Sequence, residues 1–385
     1  MLTSQKHLFS LDPGITYLNN AYRGPMLKSS EEAAIQDLIK MRSPHQLKPE
    51  DFFSGVEVVK ALFAKLVKCT PPQVAVIPST SYGFACVLNN WNPGKGKKAI
   101  TVTDEFPSGY FSLKRWADEN DALLVSVGPG TNKEEIGKSW NERILDEIDQ
   151  NTGVVLISSV HWMNGVKFDL KQIGKRCREV DACFIVDGTQ SVGALPIDVA
   201  DCQIDALICS TYKWLLGPYS MAMAYFSERF NAGKPLEESW MNRTNSQNFS
   251  DLTNYQPEFL PGANRYSVGE TSHFILLPIL EKALVQLLDW NPERIQEYAG
   301  ELKKSLVSYQ NEKNLRLEGN EFSANHLFSL PLQSGQDLNQ VKSLLEKERI
   351  SVSVRGASLR VSINVFNEQR DIDQLIGALD SLPNR

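Results

Sequence analysis

The sequence predicts an α/β protein: a large domain with a mostly parallel sheet flanked by helices, and a smaller C-terminal α+β domain. Two observations carry that prediction. From about Tyr17 to Phe226, short apolar runs alternate with longer amphipathic ones, the pattern of a βαβ series. Two of the runs, Cys183-Phe184-Ile185-Val186 and Ala206-Leu207-Ile208-Cys209, end in polar groups. Buried parallel strands read as continuous apolar stretches, and open sheets place ligands beyond their carboxyl ends. A chain of 385 residues is also too long for one simple core and suits two domains.

Taken in order, Val74-Ala75-Val76-Ile77, Ala99-Ile100-Thr101-Val102, the run 122–127 and Val154-Val155-Leu156-Ile157 read as strands. Residues 56–67 and 170–179 read as helices joining them. After the turn at Gly217-Pro218, Ala222-Met223-Ala224-Tyr225-Phe226 is one more strand. Residues 229–265 are polar, with Gly, Pro, Asn and Ser, and read as a long irregular segment of the kind that carries function. Helices follow through 286–288 and over 295–306, then short strands at 326–330, 351–354 and 359–363 with helices at 338–348 and 371–382. The division expected is a large domain over 17–270 and a small one over 271–385, joined by 1–16.

Composition excludes several classes. Hydrophobic residues at 42% and charged residues at 22% are ordinary for a soluble globular protein. A net charge of −6 without a basic run argues against nucleic acid and anionic membrane as partners. Residues 1–10 include Gln5, Lys6 and His7 and no apolar core, unlike a signal peptide, and no stretch approaches the ~20 apolar residues of a span. The expectation is a cytoplasmic protein. Its six cysteines, Cys69, Cys86, Cys177, Cys183, Cys202 and Cys209, lack paired metal spacing and read as reduced core residues, with no metal site.

The chemistry gathers at Asp187-Gly188-Thr189-Gln190 and Ser210-Thr211-Tyr212-Lys213. A carboxylate and a lysine are the two groups pyridoxal phosphate requires of a protein: the amine for a Schiff base, the acid to keep the pyridine nitrogen protonated. Gln190, one turn after Asp187, is placed to hydrogen-bond the phenolic oxygen. Pro78-Ser79-Thr80-Ser81 lies between a strand and a helix, where backbone N–H groups collect and bind phosphate. Phe106 follows the strand at 99–103 and is a candidate to stack on the ring, and His161 follows the strand at 154–157 as a substrate candidate. Each has a plainer role when taken alone: an N-cap, a core phenylalanine, a structural histidine. Asp187 and Lys213 on successive strands are harder to assign that way. A dinucleotide-binding oxidoreductase is disfavoured, since no Gly-x-Gly-x-x-Gly follows the first strand.

With Tyr17-Leu18-Asn19-Asn20-Ala21, Val186-Asp187-Gly188-Thr189-Gln190, Thr211-Tyr212-Lys213, and Ser358-Leu359-Arg360-Val361-Ser362 through Phe366-Asn367, the chain resembles the class V aminotransferase family of fold-type I pyridoxal phosphate enzymes. That family includes cysteine desulfurases, selenocysteine lyases, kynureninase and isopenicillin N epimerase-like proteins. The resemblance covers essentially the whole chain. It implies a fold-type I PLP-dependent transferase in which Thr80, Ser81 and Ser210 hold the phosphate. Phe106 stacks on the ring, Asp187 meets the pyridine nitrogen, Gln190 the phenolic oxygen, and Lys213 is the Schiff base with Tyr212 beside it. Arg360 takes the substrate carboxylate, a bidentate pairing suited to guanidinium; its plainer role is a surface arginine on an edge strand. The resemblance also implies a homodimer, with residues 266–271 where the partner lends groups to the phosphate.

The chain departs from desulfurases in having no cysteine after Cys209, Tyr212 where they carry histidine, Phe106 as the stacking aromatic and Trp162 in place of an asparagine. These changes resemble the kynureninase and epimerase side. The expected enzyme acts on an amino acid through Lys213 and an α-carbanion, as a transaminase or epimerase-like protein. A lyase of selenocysteine lyase, cysteine desulfurase or kynureninase type, and a non-catalytic cofactor-binding protein, remain open.

Overall fold

The computed structural model describes residues 2–94, 97–131, 135–313, 315, 321–332 and 336–382. The chain runs β1 (Thr16–Tyr17), α1 (Lys28–Lys40), α2 (Asp51–Val67), β2 (Val74–Ile77), α3 (Thr80–Leu88), β3 (Lys98–Val102), α4 (Pro107–Glu119), β4 (Leu123–Val127), α5 (Ile136–Glu147), β5 (Thr152–Ser158), α6 (Leu170–Glu179), β6 (Cys183–Asp187), β7 (Ala206–Ser210) and β8 (Ala222–Phe226). It continues through α7 (Leu276–Trp290), α8 (Pro292–Glu312), β9 (Leu327–Pro331), α9 (Leu338–Lys347), β10 (Ile350–Ser351), β11 (Ser353–Arg355), β12 (Ser358–Ser362) and α10 (Gln369–Asp380).

Seven of these strands form one sheet in the order β2-β8-β7-β6-β5-β3-β4. Its pairs are parallel except those of β8, which runs antiparallel to both β2 and β7. The carboxyl ends of β2, β3, β5, β6 and β7 therefore share one edge. The strand β5 is buried along its whole length, as its unbroken apolar run requires. Side chains alternate between two cores: Val155, Ile157, Phe184 and Val186 face α2, α5, α6 and α7, while Val154, Leu156, Cys183 and Ile185 face α3 and α4. Strand order turns back between β3 and β5, and crevices for ligands open at such reversals.

The C-terminal part adds a three-stranded antiparallel sheet, β11-β12-β9, with its own core from α8, α9, α10 and the inward faces of β9 and β12. Leu18 belongs to that core, and β1 pairs in parallel with β10. Leu280, Leu284 and Leu287 of α7 join the large sheet's core instead. The segment read as irregular over 229–265 holds short 3-10 turns at Glu228–Phe230, Trp240–Asn242, Phe249–Asp251 and Gly262–Tyr266. The single strand expected at 351–354 is two, because residues 350–351 pair with β1 and residues 353–355 with β12. Cys86, Cys177, Cys183 and Cys209 are buried.

Candidate active site

The sheet edge delivers one loop after another into a single crevice. After β2, the Ser79 hydroxyl accepts from the Tyr82 amide and caps α3, so the first residue of that helix, Thr80, faces an inner cavity of about 40 Å³. Ser81 is exposed, its hydroxyl 3.0 Å from that of Ser79, and it does not line the cavity.

After β3, Glu105 turns inward and is buried. One carboxylate oxygen accepts from the Phe106 amide at 2.7 Å and the Ser158 hydroxyl at 2.5 Å, and the other accepts from the Ser158 amide at 2.7 Å. Burial pushes its carboxyl up to about 7, the negative charge of Asp187 adds to that, and the Ser158 and Phe106 donors pull the other way. Phe106 precedes Pro107 at the start of α4, and its ring meets Trp162 edge-on at 5.5 Å.

Beyond β5, His161 is taken out of the site. Its ring nitrogens lie 3.1 Å from Asn164 Oδ1 and 3.2 Å from the Thr103 carbonyl, its ring packs 5.0 Å from Trp140, and it lines neither cavity. Its neighbour Trp162 forms the wall instead, its indole donating to the Asp104 carbonyl at 2.7 Å.

Asp187 ends β6 and is 5% exposed, with Oδ1 accepting from the Thr189 amide at 2.8 Å. Burial raises its carboxyl, while the Thr189 bonds and the charge of Lys213 lower it. Gln190 is held from three sides: its amide donates to the Ala21 carbonyl, its oxygen accepts from the Trp214 indole, and its own carbonyl meets His326 Nε2 at 2.7 Å. At the end of β7, the Ser210 amide donates to the Thr189 hydroxyl.

Lys213 is 7% exposed, its Nζ 5.6 Å from the ring centroids of both Phe106 and Tyr212. Among the described residues Nζ makes no hydrogen bond or salt bridge. Burial brings the amine down to about 8; Asp187 opposes the fall, and Arg360 and Arg355 assist it. The segment from Asn19 folds over this loop, where the Gly24 amide donates to the Tyr212 carbonyl at 2.9 Å. A Cβ on Gly24 would lie 2.2 Å from the Lys213 carbonyl oxygen, so only glycine permits the approach.

From the small sheet, Arg360 reaches across at 2% exposure and donates to the Trp162 carbonyl at 2.9 Å and the Ser353 hydroxyl at 3.3 Å. An outer cavity of about 280 Å³ is lined by Arg360, Arg355, Arg23, Lys213 and aromatic rings including Tyr22 and Tyr219. It shares Phe106, Trp162, Tyr212 and Lys213 with the inner one. Thr80, Phe106, Asp187, Gln190, Ser210, Tyr212, Lys213 and Arg360 are thus brought together, and Ser81 and His161 are not. Sequence reasoning missed Glu105, Ser158, Thr189, Arg23 and Arg355. The signal available was an acid directly before Phe106, and a second arginine one hairpin turn before Arg360.

Comparison with known proteins gives this geometry relatives. The family model described as Aminotransferase class-V matches residues 40–375. An uncharacterized aminotransferase of Bacillus subtilis is 26% identical, over 83% of this chain and 82% of its own. A kynureninase of Geobacillus thermodenitrificans is 23% identical, over 64% of this chain and 58% of its own. Among solved structures, the apo cysteine desulfurase from Thermococcus onnurineus superposes with a TM-score of 0.82 at 17% identity, covering 98% of this chain and 97% of that one. A C-DES mutant with glycine covalently linked to its PLP cofactor superposes at 0.86 and 16% identity, covering 99% and 100%.

Proposed function

This chain belongs to the class-V aminotransferase family of pyridoxal phosphate enzymes, and we propose that it acts on an amino acid, with Lys213 withdrawing the α-proton, as a transaminase or epimerase-like enzyme. The observation that carries the reading is the buried amine of Lys213, which makes no hydrogen bond or salt bridge among the described residues and shares one cavity with Asp187, Gln190, Thr80 and Ser210. That donor set fits the cofactor. Lys213 would hold it covalently, Asp187 its ring nitrogen, Gln190 its phenolic oxygen, and Thr80 at the start of α3 with Ser210 at the end of β7 its phosphate. Phe106 would cover one face of the ring, with Tyr212 beside the lysine. When bound, pyridoxal phosphate supplies an electron sink for charge developing at the substrate's α-carbon.

The chain's own residues do the rest. Arg360 binds the α-carboxylate through its fork and fixes which bond faces Lys213. The Lys213 amine, brought to about 8 by burial, holds and releases a proton near neutral pH. Asp187 supplies a buried negative charge that favours a proton on any base placed against it. Glu105 is a positioning residue: it ties the Phe106 amide to Ser158 and so sets the angle of the ring wall. Trp162, Phe106 and Tyr212 exclude water from the amine. A lyase is the second reading, supported by the kynureninase relatives. A protein thiol as acceptor lacks support, since no cysteine of this chain follows Cys209.

The same reading includes a homodimer, two domains and a cytoplasmic location. Ile35, Leu38 and Ile39 of α1 are exposed, as are Trp240, Phe249 and Tyr255, and a homodimer would cover such apolar surface. Glu270, inside the segment expected to serve a partner's phosphate, and Ser272, just after it, line a cavity of about 470 Å³ with Phe52 and Trp240. The division proposed at 270/271 assigns α7 to the small domain, although its Leu280, Leu284 and Leu287 pack in the large sheet's core, and β1 pairs with β10 of the C-terminal part. No helix among the described residues is long and apolar enough to cross a membrane.

The test is the visible absorption of the purified protein with added cofactor and a panel of amino acids. A band bleached by one amino acid and restored by a keto acid is the transaminase result. A band that persists while product accumulates is the lyase or epimerase result. Absence of a band in the wild type, or full activity in Lys213→Ala, refutes the reading.

A further inference from the structure

The outer cavity has a charge imbalance that the reaction alone does not explain. Four cations line it, Arg23, Arg355, Arg360 and Lys213, and no Asp or Glu does. Among the described residues neither Arg355 nor Arg360 nor Arg23 forms a salt bridge. Arg360 spends its donors on a carbonyl and a hydroxyl, and its Nε has no partner. The guanidinium of Arg355 donates to the Val354 carbonyl and lies 5.4 Å from the Trp162 ring, and its buried Nε is also unpartnered.

The hairpin accounts for the pairing. Register places Ser353 opposite Arg360 and Arg355 opposite Ser358, so both arginines project from the same face of β11 and β12 as diagonal neighbours. The turn depends on Gly356, whose φ of +56 favours glycine. Residues placed this way stand roughly 7–8 Å apart at the backbone, and each long side chain brings its own guanidinium to the cavity. Two like charges held side by side raise each other's energy until anions neutralise them, and Arg360 is accordingly pulled down to about 10 by burial and by Arg355.

We infer that the substrate is an amino acid whose side chain carries a second anionic group, with Arg355 and the more exposed Arg23 holding that group while Arg360 holds the α-carboxylate. The inference rests on the proposed reading of Arg360 and names the substrate class of the same site. The cavity, about 280 Å³, lies at the small end of ligand pockets and suits a short side chain. Trp162 and the buried Arg360 form its inner wall, where charge pairing is stronger than at the surface, while Tyr22 and Tyr219 stand at its exposed rim. Charged hydrogen bonds of this kind set specificity more sharply than apolar contact does.

The experiment titrates glutarate, and separately pentanoate, into the holoenzyme by calorimetry, using wild type and Arg355→Gln. Glutarate is expected to bind wild type at least ~30-fold more tightly, and Arg355→Gln to erase most of that ratio while moving pentanoate affinity less than ~threefold. Equal affinities in wild type, or a ratio that Arg355→Gln leaves intact, overturn the inference. Turnover of aspartate, glutamate and cysteate is compared with that of alanine; the first two against the third separate a carboxylate from a sulfonate. Alanine turned over as fast as all three overturns the acidic class and leaves Lys213 in place. Glutarate bound tightly by a protein with no visible cofactor band instead fails the Lys213 reading and keeps the anion subsite.

Discussion

Replacing Glu105 by Gln tests whether the buried acid behind Phe106 carries its proton at neutral pH. Its carboxyl rises from 4.5 to about 7 in the folded chain, with burial as the first cause and Asp187 as an added one. A raised acid binds its proton more tightly when folded, so its contribution to stability is present below pH 4.5 and is lost as pH climbs through 7. At 1.36 kcal/mol per pKa unit the whole loss is about 3 kcal/mol, of which roughly 2.5 falls between pH 5 and pH 8. Glutamine keeps the shape and removes the titration. It also replaces one acceptor oxygen with an NH₂, so either Ser158 or Phe106 loses a partner for a buried N–H, at about 1–3 kcal/mol. Wild type should therefore be the more stable protein at pH 5, and the gap should shrink by roughly 2.5 kcal/mol by pH 8. Urea unfolding of both apoproteins at the two pH values measures it, with no cofactor binding to add its own pH dependence. A gap that stays constant with pH refutes a proton on Glu105.

Two further outcomes follow from the same crevice. Lys213 in the apoprotein should react with an amine-selective ester at a rate half-maximal near pH 8, while exposed lysines follow their usual value near 10.5, read by peptide mass spectrometry. Asp187→Asn should move that midpoint lower still, because Asp187 is the group holding it up; a midpoint above pH 10 in wild type would contradict the burial of the amine. Gly24→Ala puts a methyl against the Lys213 carbonyl and should cost about 1–3 kcal/mol, seen as a fall of several degrees in thermal midpoint and a weaker cofactor band. An unchanged midpoint would show that the Asn19–Gly24 segment does not brace the lysine loop.

Which parts of this were readable in the sequence depends on how local their causes are. The strands at 74–77 and 222–226 and the helix at 170–179 fall where their apolar patterns put them. Asp187 and Lys213 stood out because each closes an apolar run, a pattern visible within ten residues. The helix α1 escapes the reading although Ile35, Leu38 and Ile39 keep the i, i+3, i+4 spacing of a helical stripe, and in the folded chain that stripe is exposed. His161 misled for the same local reason: its position after β5 is right, but Asn164 and the Thr103 carbonyl, 58 residues away, take its nitrogens. Glu105 is unremarkable in sequence, as acids near helix starts are common. Only the pairing of β3 with β5 brings it to Ser158.

The distribution of charge around Lys213 then explains why two sheets are needed. The large sheet contributes the acids: Asp187 at the end of β6 and Glu105 after β3, both buried. The small sheet contributes the arginines, from β11 and β12, on the opposite wall. A chain of net charge −6 thus maintains a cationic mouth over an acidic floor, with the amine of Lys213 between them. Floor and mouth act oppositely on its proton: Asp187 holds it on, while Arg355 and Arg360 push it off. An anionic substrate entering that mouth would cancel the arginines' push and raise the amine's proton affinity as it binds. Binding of glutarate to the apoprotein should therefore slow ester modification of Lys213 at pH 8 and shift its midpoint upward. Pentanoate, neutralising one arginine only, should shift it less; equal shifts would mean that the two guanidiniums do not act separately on the lysine.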